Sequence, residues 1–196
     1  MNIARWCLQL TLLICAGAYA EPTAHPLGTG MLLVATENLN GSSFEKTVIL
    51  ITQHDLQGSL GIAINRPAHQ NIREFFPKFN AKTGSLPLFL GGPVRPLALF
   101  VLTHTKPQKG WVPILSDIYF TGGPNAYQFL QQAQINLHEP HLRVFAGYAG
   151  WAAGQLEKEI KHGDWLTTPV DSAAIFSTEP EKTWERLHHT HSGKWI

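Results

Sequence analysis

Gly147-Tyr148-Ala149-Gly150-Trp151-Ala152-Ala153-Gly154-Gln155-Leu156-Glu157-Lys158-Glu159-Ile160 sets three glycines and two aromatic residues directly ahead of a charged, helix-forming run. Leu142 to Phe145 ahead of it reads as a strand, so the stretch predicts a strand, a sharp glycine-rich turn and a helix. In that helix Ala153, Leu156 and Ile160 share one face, Glu157 and Lys161 form an exposed pair one turn apart, and Gly163 is placed to stop it. Two roles remain open for the stretch. Tyr148 and Trp151 can pack a hydrophobic corner with their polar tips satisfied locally. Alternatively, Trp151, Gln155 and Glu159 line a binding cleft, since 155 and 159 lie on one helical face and 151 begins it.

Upstream, Met31 to Ala35 reads as a first strand, and Thr47 to Thr52 is apolar on both alternating faces, as in a strand covered on both sides. Ser59 to Ile64 alternates strictly, with Leu60, Ile62 and Ile64 opposite Ser59, Gly61 and Ala63. The loop between these runs predicts a hairpin ending at Gly58. Asn71, followed by Glu74 and by Ile72, Phe75, Phe76 and Phe79, resembles a capping box opening a helix that Pro77 stops by Phe76. Further strands are expected at 86–90, 97–102 and 118–120, and helices at 127–133, after Pro124, and at 181–189. No repeat, linker or second composition regime interrupts the chain. The strand-rich first half, without intervening helices, argues for one mixed α and β domain rather than a doubly wound parallel sheet.

The first twenty residues follow the layout of a secretory signal peptide: Arg5, an apolar run from Trp6 to Gly17, then Ala18-Tyr19-Ala20 before Glu21-Pro22. The run is shorter than the about 20 apolar residues of a membrane-spanning helix. A leader at 1–20 and a single domain at 21–196 are therefore expected, with a periplasmic or secreted location, or a cytoplasmic one if the leader does not function. Both cysteines, Cys7 and Cys15, fall in the leader, so disulfides, cysteine ligands and a cysteine nucleophile are excluded from the mature part. Without Arg5 the chain carries 14 basic and 14 acidic residues and shows no basic run for phosphate neutralisation.

The ten histidines all follow the leader. His188, His189 and His191 diverge on a helix, His138 and His141 flank Pro140, and no HExxH spacing occurs, so no metal or cofactor site is expected. No Gly-x-Ser-x-Gly elbow is present, and Gly58-Ser59-Leu60-Gly61 only approaches one. His54, Asp55 and His104 are the groups that would have to serve a hydroxyl nucleophile. Gly91-Gly92-Pro93 and Gly122-Gly123-Pro124 follow apolar strands and read as tight turns, because the proline removes an amide that a phosphate cradle would use. Asn65-Arg66-Pro67 ends a strand in extended geometry. Arg66 there either aims its guanidinium at an anionic group or makes an ordinary salt bridge.

With Gly58 to Pro67, Gly91-Gly92-Pro93-Val94 and Gly147 to Ile160 in this order, the chain resembles the YqgE/AlgH family of bacterial proteins. Phe44, Trp165-Leu166 with Pro169, and Asp171 followed by Ile175-Phe176 extend the resemblance from Gly30 to about Trp184. The resemblance implies a compact α/β fold with a branched, barrel-like mixed sheet flanked by helices, and no established enzyme activity or transferable catalytic residue. It also implies, through members linked to control of alginate production, a cytoplasmic transcriptional regulator, a role that an exported chain does not reach. The leader and Thr36-Glu37-Asn38, standing where a proline-containing turn is usual, depart from the family pattern.

The reading that results is a non-catalytic exported binding or accessory protein, with a cytoplasmic regulator and an unrecognised hydrolase or transferase as rivals. Its candidate binding residues are Asn65, Arg66, Gly91, Gly92, Tyr148, Trp151, Gln155 and Glu159, for a protein or small-molecule ligand.

Overall fold

In Val48–Asp55 (β2) the apolar first half is buried on both faces, as the sequence predicts, with Val48 and Leu50 in one core cluster and Ile49 and Ile51 in another, while Gln53 to Asp55 come to the surface. A computed structural model describes residues 27–79, 86–104, 110–132, 141–170 and 172–192. The leader expected at 1–20, the His138-Glu139-Pro140 segment, Ala133, Asp171 and the last four residues lie outside the described residues. β2 pairs antiparallel with Met31–Ala35 (β1) and Gly58–Ala63 (β3), the latter through the expected hairpin in which Asp55 faces Gly58. Pro67–Asn71 (β4) and Pro87–Leu90 (β5) follow, then Val94–Thr103 (β6), Val112–Pro113 (β7), Tyr119–Gly122 (β8), Leu142–Ala152 (β9) and Trp165–Pro169 (β10).

The ten described strands form one largely antiparallel sheet, eight of them in the order β10-β1-β2-β3-β9-β6-β8-β7, open at β10 and β7, with β4 and β5 off this path. The sheet branches at β9. Residues 144–146 of β9 run parallel to β5, which carries β4, while residues 149–152 pair antiparallel with β3. The five described α-helices are Ile72–Phe75 (α1), Pro124–Gln132 (α2), Gln155–His162 (α3), Ser172–Ile175 (α4) and Thr183–Ser192 (α5). α1 opens with the predicted capping box: Arg73 N donates to Asn71 Oδ1 at 3.1 Å, and Asn71 N donates to Glu74 Oε1 at 3.2 Å. α3 packs Leu156 beside Trp151 and Trp165, and α5 is pinned to β1 by Trp184 Nε1 donating to Ala35 O at 2.8 Å. The branched, mixed α and β architecture implied by the resemblance is thus present.

The opening stretch departs from its expected turn. β9 continues through Gly147, Gly150 and Trp151 to Ala152, the turn into α3 is only Ala153-Gly154, and Ala153 is exposed. The reason lies 55 residues earlier in the chain, at Gly91-Gly92. Gly91 N donates to Ala146 O and Ala63 N donates to Gly91 O, both at 2.8 Å, so Gly91 is the junction where β3 and β5 part along one edge of β9. β9 bends there at Gly147, whose φ of +72° L side chains rarely adopt. A Cβ on Gly91 would overlap the Gly147 carbonyl, and one on Gly147 would overlap the Gly92 carbonyl. Glycine is required by the close crossing of two backbones.

Gly91→Ala is therefore expected to cost about 3 kcal/mol, as overpacking against rigid backbone does. Gly41→Ala, at a φ of +76° with nothing near its Cβ position, should cost only about 1 kcal/mol. Urea denaturation of both variants checks the contrast, and equal losses would remove the crossing as its cause.

Candidate functional site

Arg66 sits at the fork of the branched sheet. The chain leaves β3 at Ala63 and turns at Asn65, whose buried side chain accepts from Val48 N at 2.8 Å and donates to Lys46 O at 2.9 Å. It returns as β4, with Leu90 N donating to Arg66 O at 2.8 Å. Both hydrogen bonds of Asn65 serve the turn, so its role here is to hold Arg66 in place. The partly buried Arg66 donates from Nη2 to Glu45 O at 3.0 Å, its one hydrogen bond from the guanidinium among the described residues. Burial pushes the guanidinium below its ordinary value, from so high a start that it stays cationic. It faces a cleft of about 560 Å³ lined by Asn65, Pro67 to Gln70, Leu90 and Glu181. No ion pair joins Arg66 to Glu181 among the described residues.

Tyr148 and Trp151 line a different cleft, of about 400 Å³, with Gln53, Asp55, Ser59, Leu60 and Val94 among its walls. Hydrogen bonds from the Gln53 side chain and from Gln57 N hold the Asp55 carboxyl below the usual carboxylate range, so it is anionic at neutral pH. The Tyr148 ring meets Phe100 edge-on at 5.9 Å. Gly91 and Gly92 line neither cleft; their backbone packs against that of Gly147 and Tyr148.

Trp151, Gln155 and Glu159 do come together, in a closed network. Glu159 Oε2 accepts from Trp151 Nε1 at 2.8 Å and from Trp165 Nε1 at 2.9 Å, while Oε1 accepts from Gln155 Nε2 at 2.9 Å. Gln155 Oε1 in turn accepts from Ala152 N at 3.1 Å. A carboxylate that receives three donors from its own chain ties α3 to β9 and β10, and its oxygens are engaged internally.

Of the groups considered for nucleophilic catalysis, His54 and Ser59 are cross-strand partners with Nδ1 and Oγ 2.9 Å apart. Glu157 of α3 lies 3.8 Å from the other ring nitrogen, His54 Nε2. Asp55 is turned to Gln53 and Gln57, and His104 lies elsewhere, stacked on His141 at 4.3 Å with Asp117 3.4 Å from its Nδ1. His188 stacks on Trp184 and approaches Glu37 at 3.3 Å. Among the described residues no group of three or more His, Asp or Glu side chains is placed to hold a metal ion.

The AlgH-like family model matches residues 32–195. The chain belongs to the AlgH-like family. It is 36% identical over 171 residues to a UPF0301 protein of Chlorobium luteolum, covering 86% of this chain and 88% of that one. A UPF0301 protein of Methylococcus capsulatus is 35% identical over 158 residues, 78% of this chain and 83% of the relative. Among solved structures, the solution structure of the AlgH protein from Pseudomonas aeruginosa superposes with a TM-score of 0.69 at 25% identity, covering 89% of this chain and 94% of that one. A Corynebacterium diphtheriae protein shares the fold, with a TM-score of 0.65.

In this AlgH-like chain the residues that sequence reasoning missed are Glu45 and Glu181 around Arg66, Glu157 beside His54, and Trp165 on Glu159. Each reaches its partner across separate elements, and no local spacing announces it. Trp165 alone had a signal, since Gly163 ends α3 and returns the chain beside Glu159.

Glu159→Ala leaves two indole N–H groups without their acceptor and is expected to destabilise the protein by about 2–3 kcal/mol. Denaturation followed by tryptophan fluorescence checks it, and an unchanged native emission spectrum with unchanged stability would contradict the network's role.

Proposed function

We propose that this AlgH-like protein is an exported binding or accessory protein that holds a ligand by an anionic group seated on Arg66. The observation that carries the reading is a partly buried guanidinium with one N–H committed to Glu45 O, standing in a cleft with apolar walls at Pro67, Ala68 and Leu90. A planar cation with free donors in a concave, partly desolvated place favours a carboxylate or phosphate over water. Export rests on the leader composition of residues 1–20. The balanced charge of the remaining chain gives the regulator reading no phosphate-binding excess to build on.

Thermal unfolding in the presence of a panel of monocarboxylates, dicarboxylates and phosphomonoesters tests the cleft. A ligand at a hundred times its dissociation constant should add about 2.7 kcal/mol to the stability of the native protein. Arg66→Ala should abolish that gain; a gain equal in wild type and variant would place binding elsewhere. Fractionation of cells expressing the full chain, with mass spectrometry of its N-terminus, tests export. Export predicts a periplasmic product starting at Glu21, and a cytoplasmic product retaining Met1 rejects it.

The 2.9 Å contact of His54 with Ser59, backed by Glu157, favours the hydrolase reading as a second one. It predicts covalent labelling of Ser59 by a fluorophosphonate. Absence of labelling, or labelling retained in Ser59→Ala, rejects it.

A further inference from the structure

We infer that the Arg66 cleft receives the C-terminal carboxylate of an extended peptide whose backbone adds to the free edge of β4. The inference rests on the reading of Arg66 as an anion-binding group and specifies the ligand. The cleft runs along a strand, for four consecutive residues of β4, Pro67 to Gln70, form its wall directly beyond Arg66. Among the described residues β4 pairs only with β5, and its other edge is unpaired. The pairing with β5 is itself incomplete. Pro67 faces Phe89 and Asn71 faces Pro87, so five residues of β4 stand against three of β5, and Pro87 has no N–H to give. β4 therefore carries more main-chain donors and acceptors than β5 takes up. An exposed sheet edge in this condition is a template for a further strand, and natural peptide-binding domains use such edges.

The charges select the peptide's end over other anions. Arg66 offers a planar fork that matches one carboxylate in bidentate fashion. Glu181 borders the same cleft unpaired with Arg66 and repels a second negative group, which disfavours polyphosphates and nucleic acid. Leu90, 44% exposed, and Ala68 give the final side chain an apolar seat. The ligand this combination fits is an extended chain, apolar at its last residue, carrying one terminal carboxylate and no acidic residue just before it.

A library of random heptapeptides displayed with free C-termini, selected on the purified protein, tests the inference. Enriched peptides should bind roughly tenfold or more tightly than their C-terminal amides, the difference expected for a charge-assisted hydrogen-bonded pair. Arg66→Gln should lower their affinity by a similar factor, and bound peptide should shift the amide resonances of Ala68, His69 and Gln70 in the wild-type protein, a readout that needs no folded variant. Equal affinity of acid and amide, resonance shifts that spare β4, or no enrichment would overturn the inference. Sodium acetate, titrated while the Arg66 Nε–H resonance is observed, separates the two levels. A response to acetate without peptide enrichment overturns the peptide and keeps the anion cleft; no response to either overturns both.

Discussion

Two backbones cross at Gly91-Gly92 and Gly147 closely enough that no side chain fits between them, and the whole sheet is arranged around that contact. β9 can pair with β5 along one half of its edge and with β3 along the other only if it bends between them. The bend at Gly147 disturbs the opposite edge as well: β6 meets β9 at Val94 opposite Tyr148, then slips before resuming at Leu99 opposite Ala146. Arg95 within that slip adopts a positive φ of 45°, and Leu97 is left largely exposed. A branched sheet concentrates its irregularities, and here both clefts lie beside them.

The fork explains why a cation occupies this place. Where β3 and β5 part, the chain leaving β3 turns away from the start of β2, and the Asn65 side chain secures the turn with one bond to Val48 N and one to Lys46 O. Arg66 follows with its main chain engaged by Leu90 and its side chain extended toward Glu45. On the other side of the crossing, Glu159 collects two indoles and an amide and fixes α3 over the sheet. One carboxylate is consumed by structure, while one guanidinium is left largely uncommitted. That asymmetry separates the candidate site from the scaffold.

Much of the fold was legible from local pattern. Continuous apolar runs marked β1, β2 and β6, strict alternation marked β3, and Asn71 with Glu74 marked the start of α1, because these elements are decided by residues within a few positions of one another. The glycine-rich stretch misled for the opposite reason. A glycine that permits a turn and a glycine that lets another backbone pass are identical in sequence, and the partner of Gly147 lies at Gly91-Gly92, which itself reads as a tight turn. The candidate site was half legible. Arg66 at the end of a strand before Pro67 was visible, as was the shared face of Gln155 and Glu159. Glu45 meets Arg66 where the β2 and β3 ends adjoin, Leu90 meets it through β5, Glu181 borders the cleft from far along the chain, and Trp151 belongs to another cleft.

Native-state hydrogen exchange at Gly91 and Ala63 reports most directly on the crossing. Their amides bond across the fork, to Ala146 O and Gly91 O. If the crossing holds the branch together, both should exchange only through global unfolding, with the same opening free energy as amides at the centre of β2. Exchange at the fork through a low-energy local opening, while β2 stays protected, would contradict the account and leave the Arg66 cleft without a fixed frame.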